Sequence, residues 1–370
     1  MNRFMNLFIK IKASPTLVKE FLKVFVRGVY MVRRSRITDV AKHAQVSIGT
    51  VSNVLNNIPT VDPIIRKRVE ESIAELGYIR NRGAASIRSN STAVYGLIVH
   101  DVTNPAYSEI ASGAKREATE NGYNLLVASS GESTLAELEN LKLFEELRLA
   151  GIVLATISGE NVKYAQQIQA RGTPIVIIGA QDVPGIPHVT FSDKTGGALA
   201  MKHLLSLSHK NIYFVSGSLK IQALQDRLAG IKSVIPKKST VTVTHFETDG
   251  QSLKAGIAAA RAIEKMPAKS RPTGIIAGND LIAVGIQQTL LHGKILNSNQ
   301  RLSIVGYDDI GIAELDTISL TTVRQDFNII GKKSVELLIA MRKTVGKIDS
   351  KKLSINLVPE LIVRQSSFSV

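Results

Sequence analysis

The chain has 370 residues and 44% hydrophobic content, enough for two or three domains with sizeable cores. Its net charge of +15 is uneven: residues 1–90 carry 16 Lys and Arg against 6 Asp and Glu, and the other 280 residues carry 30 against 25. That imbalance points to a polyanion contacted at one end. The lack of Cys excludes disulfides and thiolate metal sites, and no apolar run approaches the ~18 residues of a membrane span. The His residues are scattered without an H-x-x-x-H pair, so neither a metal ion nor a cofactor is expected.

Residues 1–34 read as a basic, apolar extension, weakly ordered over 1–30. Leu17–Val29 suits one amphipathic helix, with Pro15 near its start. Such a helix could lie on a membrane, form a dimer contact, or precede the natural start, for which Met31 is the candidate. Lys10 and Lys12 break the apolar run from Leu7, which makes a poor signal-peptide core, so a cytoplasmic protein is expected.

Residues 35–80 read as three short helices with a cap residue before each. Thr38 is expected to cap the first, Ser47 the second, and Asp62 with Pro63 the third, with Gly77 as the final stop. Only Ala44-Gln45-Val46 separates the first two helices, a spacing that suits a helix-turn-helix. Val40, Ala41, Ala44, Val46, Val51, Val54, Leu55, Val69, Ile73 and Leu76 can close a small core. The outward side of the second helix is then Ile48, Gly49, Thr50, Ser52, Asn53 and Asn56, suited to phosphates and base edges. A generic helical hairpin is the alternative. Residues 81–92 are basic, small and polar. They suit a linker with a helical turn or two over Arg82–Arg88, weakened by Gly83, that orders when Arg80, Arg82 and Arg88 meet phosphates.

Residues 93–370 alternate apolar strand-like runs with amphipathic helices, beginning at Val94–Val99 and continuing through Gly151–Ala155, Gly274–Ala277 and Leu302–Gly306. This implies parallel sheets covered on both faces. Two consecutive series, near 93–190 and 191–320, predict two similar lobes, with a ligand crevice beyond the carboxyl ends of the strands. Asp101, Tyr107, Arg227, Phe246, Asn279 and Asp308 fall at such ends, with Asn104, Asp280 and Asp309 beside them. An aromatic face with Arg, Asn and Asp suits a hydroxyl-rich small molecule. The competing reading is that Asp and Asn merely cap helices, Asp193 and Asp280 above all. No G-x-S-x-G, P-loop or G-x-G-x-x-G motif occurs, Gly196-Gly197 is too short for a phosphate loop, and Asp308-Asp309 should point to opposite sides. An enzyme is not expected.

From about Ile37 to Arg364 the chain resembles the family of bacterial repressors that includes the lactose and purine repressors. The resemblance rests on I-T-D-V-A-K-H-A-Q-V-S with T-V-S-N-V-L-N, then E-L-G-Y and Y-G-L-I-V-H-D-V-T-N-P. Further on come D-R-L-A-G at 226–230, N-D-L-I-A-V-G at 279–285, S-I-V-G-Y-D-D at 303–309 and L-T-T-V-R-Q at 320–325. It implies a homodimer with an all-α head, a hinge helix and a two-lobed body similar to periplasmic sugar-binding proteins. A metabolite in the interlobe cleft would control affinity for a palindromic DNA operator. On matched positions, Ile48, Gly49 and Asn53 would read bases, and Thr50, Ser52 and Asn56 would contact phosphates, near Thr38 and Ser47. Ile87, beside Arg88, would wedge into the minor groove. Tyr107, Arg227, Asn279 and Asp308 match cleft positions, with Phe246 as a stacking ring.

The chain also departs from that pattern. Asn53 stands where many members carry Arg, and Asn prefers adenine where Arg prefers guanine. Gly49 offers no side chain, Arg80 replaces a usual Pro, and Gly83 replaces a branched residue. In the cleft, Gly179, Ala180, Ile221 and Ala223 remove polar groups, which argues against a carboxylate-bearing, purine-type corepressor and leaves a sugar, sugar derivative or nucleoside. No heptad run follows Arg364, so a dimer is expected. The rival reading, a solute-binding protein for transport, predicts an export signal and no DNA-binding head.

Overall fold

The computed structural model describes residues 35–79, 92–131, 133–156, 159–179, 183–292, 302–344 and 349–370. The expectations for residues 1–34 and for Arg80, Arg82, Gly83, Ile87, Arg88 and Ala180 lie outside the described residues. The chain forms two compact units, residues 1–85 and 86–370.

The first unit holds α1 (Ile37–His43), α2 (Ile48–Leu55) and α3 (Pro63–Glu75). Ser47 caps α2, its Oγ accepting from Thr50 N at 3.0 Å, and Asp62 caps α3 through Ile64 N at 2.8 Å. Gly77 follows α3 at φ +56°, a left-handed backbone that glycine adopts without strain. Thr38 is not a cap: α1 begins one residue earlier, and Arg36 N donates to Asp39 Oδ2 at 2.8 Å instead. Thr38 therefore lies inside the helix, exposed. All ten expected core residues share one cluster, which Ile37, Val61, Ile65 and Tyr78 complete.

The second unit contains two lobes, each a six-stranded sheet covered by helices. The first lobe's sheet uses β1 (Val94–Val99), β2 (Asn124–Ser129), β3 (Gly151–Ala155), β4 (Ile175–Ile178), β5 (His188–Phe191) and β11 (Ile355–Leu357), in the order β11-β5-β4-β3-β1-β2 and wholly parallel. The second uses β6 (Asn211–Ser216), β7 (Thr242–Glu247), β8 (Gly274–Ala277), β9 (Ser303–Asp308), β10 (Thr321–Arg324) and β12 (Glu360–Ile362), in the order β12-β10-β9-β8-β6-β7; only β12 is antiparallel. Central strands such as Gly151–Ala155 are buried along their whole length, as strands covered on both faces must be.

The intervening helices are α4 (Pro105–Glu120), α5 (Thr134–Glu146), α6 (Val162–Ala170), α7 (Asp193–Ser206), α8 (Gln222–Ser233), α9 (Leu253–Glu264), α10 (Asp280–His292), α11 (Phe327–Lys343) and the short α12 (Ser350–Leu353). The division near residue 190 holds, but the lobes are not simply consecutive, because the segments after β10 are shared between them. The chain enters the second lobe after β5, returns after β10 to add α11 and β11 to the first, and crosses again to β12. Helix α11 packs on α4 with Gly113 and Gly331 at the crossing. A Cβ at either glycine would run into the facing helix backbone, so only glycine permits this approach.

Candidate DNA-reading face and interlobe cavity

In the head, the turn between α1 and α2 leaves one side of α2 facing out. Ser47, Ile48, Gly49, Asn53 and Asn56 are exposed, with Thr50 and Ser52 half-buried. Ile48 is 49% exposed, a large apolar side chain on an otherwise small, polar face. Ser47 Oγ also lies 2.9 Å from Thr50 Oγ1, so both hydroxyls gather at the positive end of α2, where phosphates are favoured. The side chain of Asn53 makes no hydrogen bond among the described residues, so its amide is open to a base edge. A Cβ at Gly49 would meet only Ser47 Oγ, at 3.5 Å, so packing does not demand glycine there.

In the body, the carboxyl ends of both sheets face a cavity of about 530 Å³. The first lobe supplies Tyr107 and Ile110 from α4, His100 after β1, and Phe191 at the end of β5; the second supplies Arg227 from α8, Asn279 after β8, and Asp308 at the end of β9. Arg227 dominates its electrostatics. The guanidinium is buried, with Nε 2.8 Å from Asp193 Oδ1, Nη1 on the Gly278 carbonyl, and Cζ 3.6 Å above the Tyr307 ring. Burial alone would lower its pKa; the carboxylates of Asp193 and Asp308 hold it raised, and it stays charged. Gln325 Nε2 also reaches Asp193 Oδ1, at 3.3 Å.

Asp308 Oδ1 lies 4.0 Å from Arg227 Nη2, and no described residue donates a hydrogen bond to its carboxyl. Burial pushes its pKa up to about 7 against the pull of Arg227, with Asp193 and Glu109 adding to the rise. Asp309 points the other way, to Arg324 Nε at 2.6 Å and Arg364 Nη1 at 2.7 Å, so the adjacent acids do face opposite sides. His100 Nδ1 sits 2.7 Å from the Tyr107 hydroxyl, and burial lowers the pKa of that imidazole, leaving it neutral.

Of the six expected effector residues, Tyr107, Arg227, Asn279 and Asp308 line the cavity. Asp101 and Phe246 do not, and both placements are corrected. Asp101 is exposed and accepts from Thr103 N at 2.8 Å, closing a local turn. Phe246 packs against the second lobe's core, as Tyr213, Met266 and Leu302 do. Asn279 also caps α10, accepting from Ile282 N at 3.0 Å and donating to the Gln251 carbonyl. Asp193 and Asp280 are not caps. Asp193 spans to Arg227, while Asp280 accepts from Thr322 Oγ1 at 2.6 Å and Ile310 N at 2.9 Å. The aromatic walls that Phe246 was expected to supply come from Phe191 and Phe327, at two of the three crossings between lobes. Nothing in their local pattern marked those positions, because each depends on which lobe its neighbours join.

Head and cavity together define a regulator that touches DNA with one unit and a small molecule with the other. The chain belongs to the lacI family of bacterial regulatory proteins: the profile of that description matches residues 36–81, and that for periplasmic binding proteins and the sugar binding domain of the LacI family matches residues 92–357. It is 31% identical over 345 residues to the HTH-type transcriptional regulator DegA of Bacillus subtilis, covering 90% of this chain and 98% of that one. It is 30% identical over 333 residues to the ribose operon repressor of Escherichia coli K12, covering 89% and 98%. Among solved structures, a LacI family regulator of Enterococcus faecalis with bound ribose superposes with a TM-score of 0.65 at 26% identity, over 75% of this chain and 99% of that one.

Proposed function

We propose that this protein is a homodimeric repressor whose affinity for a palindromic operator is set by a neutral sugar, sugar derivative or nucleoside in the interlobe cavity. Residues 35–80 serve as the DNA-binding head, 81–92 as the hinge and 93–370 as the effector-binding and dimerising body, in the cytoplasm, by binding rather than catalysis. Ile48, Gly49 and Asn53 meet base edges, with the Asn53 amide on adenine, so the operator carries A·T at that step. Thr38, Ser47, Thr50, Ser52 and Asn56 lie along phosphates, and Ile87 with Arg88 engages the minor groove. In the body, Tyr107, Arg227, Asn279 and Asp308 hold the effector.

The observation that carries this reading is the pairing, in one chain, of an open-faced recognition helix with a cavity built around a buried Arg227–Asp193 ion pair. A transport protein needs only the second. Selection of bound duplexes from a random pool, at two salt concentrations and with a sugar panel, tests it. An enriched palindrome whose occupancy responds to one compound is the expected result; binding without an enriched site sinks the operator assignment. On the enriched site, Asn53→Ala should weaken binding by about 1–3 kcal/mol and relax one base position.

A further inference from the structure

The positive charge of the body is gathered on part of one lobe. Residues 194–273 carry 13 Lys and Arg against 4 Asp and Glu, whereas the rest of residues 91–370 carry 17 against 21. Six of those cations lie on the turns that enter β6, β7 and β8: Lys210 on 207–210, Lys237 and Lys238 on 234–241, and Lys265, Lys269 and Arg271 on 265–273. The same turns contain no Asp or Glu, and Glu264, at the end of α9, sets one acid against them. Because β6 lies between β7 and β8, the turns stand side by side. Thr242 N donates to the Lys210 carbonyl at 2.8 Å, and Asn211 Nδ2 to the Arg271 carbonyl at 2.8 Å. The five lysines are exposed, and none forms an ion pair among the described residues. Arg271 is half-buried and donates to backbone carbonyls, from Nε to Met266 at 3.0 Å and from Nη2 to Glu264 at 2.8 Å.

Both sheets point their carboxyl ends at the cavity, so these turns, at the amino ends of their strands, form the second lobe's far pole. The chain enters the body at the opposite pole, where Thr92 N donates to the Arg148 carbonyl just before β1. Like charges gathered in this way repel one another, and a polyanion relieves them. The neighbouring side chains say which polyanion fits. Interface cores between proteins are rich in aromatic residues and poor in Lys, and none of the large apolar side chains exposed among the described residues lies on these turns. The site therefore also lacks the apolar anchors of a membrane-surface contact. Ser239, Thr240, Thr242 and Ser270 are exposed beside the lysines instead. Lys, Ser and Thr are residues that meet a nucleic-acid backbone, and with Arg271 tied to carbonyls no free guanidinium fork is left to read bases.

We propose that this pole holds the phosphate backbone of a second DNA segment without reading its sequence, so that the protein joins two stretches of DNA. The joining rests on the DNA-binding head proposed above; the charge of the pole does not.

The test places the full chain on an immobilised duplex carrying the selected operator and measures capture of a second, labelled duplex that lacks it. Five lysines on phosphates release about 4–5 counterions, so capture should weaken roughly 10²–10³-fold between ~50 and ~200 mM salt. Lys237→Gln, Lys238→Gln and Lys269→Gln together should weaken capture at least about tenfold and flatten that dependence, with melting temperature and operator occupancy unchanged. Lys142→Gln with Lys163→Gln, exposed on α5 and α6, should leave capture as it is. Capture that survives the triple change puts the second duplex on the heads and overturns the proposal, as does wild-type protein that captures none. Displacement of the second duplex by polyglutamate at equal charge identifies an acidic protein as the partner and overturns it too. Protein that never occupies the immobilised operator overturns the operator reading, and the joining with it.

Discussion

Asp308 and Asp309 are consecutive non-glycine residues in the left-handed region, at φ +111° and +60°. Such conformations cost of order 1–3 kcal/mol each and persist where surrounding contacts enforce them. Here the result is functional: one carboxyl turns into the cavity and the next into two arginines. Asp308 should also shape stability against pH. Its folded pKa of about 7 lies above the ordinary 3.8, so the protonated form stabilises the fold fully below pH ~4, and that contribution is lost as pH rises towards 7. Arg227, Asp193, Glu109, Asp280 and Tyr307 all face this group, so its titration is read from a difference between proteins. The melting temperature of ligand-free protein should fall relative to that of Asp308→Asn between pH 4 and 7; parallel curves would mean Asp308 is ionised throughout. The sequence leaves open whether Asp193 and Asp280 are caps, because a carboxylate at a helix start looks the same whether it caps that helix or reaches across to another. Gly49 is the converse. With only an ordinary contact to Ser47 Oγ to accommodate, Gly49→Ala should stabilise the head by about 0.5–1 kcal/mol while changing base preference at the step it faces.

Among the elements, the legible ones were those with a long apolar period and a cap. Ser47 and Asp62 fixed two helix starts, and a continuous apolar run fixed β1 and β3. The short strands β5, β10, β11 and β12 have three or four residues each, too few to display alternation. Helix α11 has no counterpart among the expected elements, although Asp326 caps it and Phe327, Ile330, Ser334, Leu337, Leu338 and Met341 repeat at helical spacing. Gly331 interrupts that stripe, and its reason is invisible without the facing α4. The pair Gly196-Gly197 has a similar explanation. It is no phosphate loop; Gly196 makes room for the Tyr307 ring, and Gly197 lets α7 approach α8, where a Cβ on it would strike the Arg227 carbonyl and one on Gly230 the Lys194 carbonyl. That close approach sets Asp193 within 2.8 Å of Arg227. Gly197→Ala should therefore destabilise the body by about 1–3 kcal/mol and weaken effector binding more than Gly49→Ala does. Equal effector affinity in the two variants would detach the helix crossing from the site.

Across the whole molecule, the decisive feature is that the lobes are interleaved. Local sequence pattern could announce two α/β series but not which lobe owns the last helix, since both sheets have a face to cover. Helix α11 follows a strand of the second lobe yet buries Phe327, Ile330, Val335, Leu337, Leu338 and Met341 in the first lobe's core. Burial of side chains this large contributes about 1.5–3 kcal/mol each, so the six together match or exceed the ~5–15 kcal/mol by which a domain is stable. A fragment of residues 92–192 has β1 to β5 and every helix between them, and should still fail to fold alone. It should show broad, non-cooperative unfolding, with Ile110 and Ala114 left facing solvent where α11 belongs. Coexpression with residues 325–357, which restores α11 and β11, should recover a cooperative transition. If the fragment folds cooperatively by itself, the first lobe is autonomous and the crossings are mere connections. If it needs the returning segment, a ligand gripped from both lobes acts on units that already share their cores through the chain, and Phe191 and Phe327, at two of the crossings, lie where cavity and connection meet.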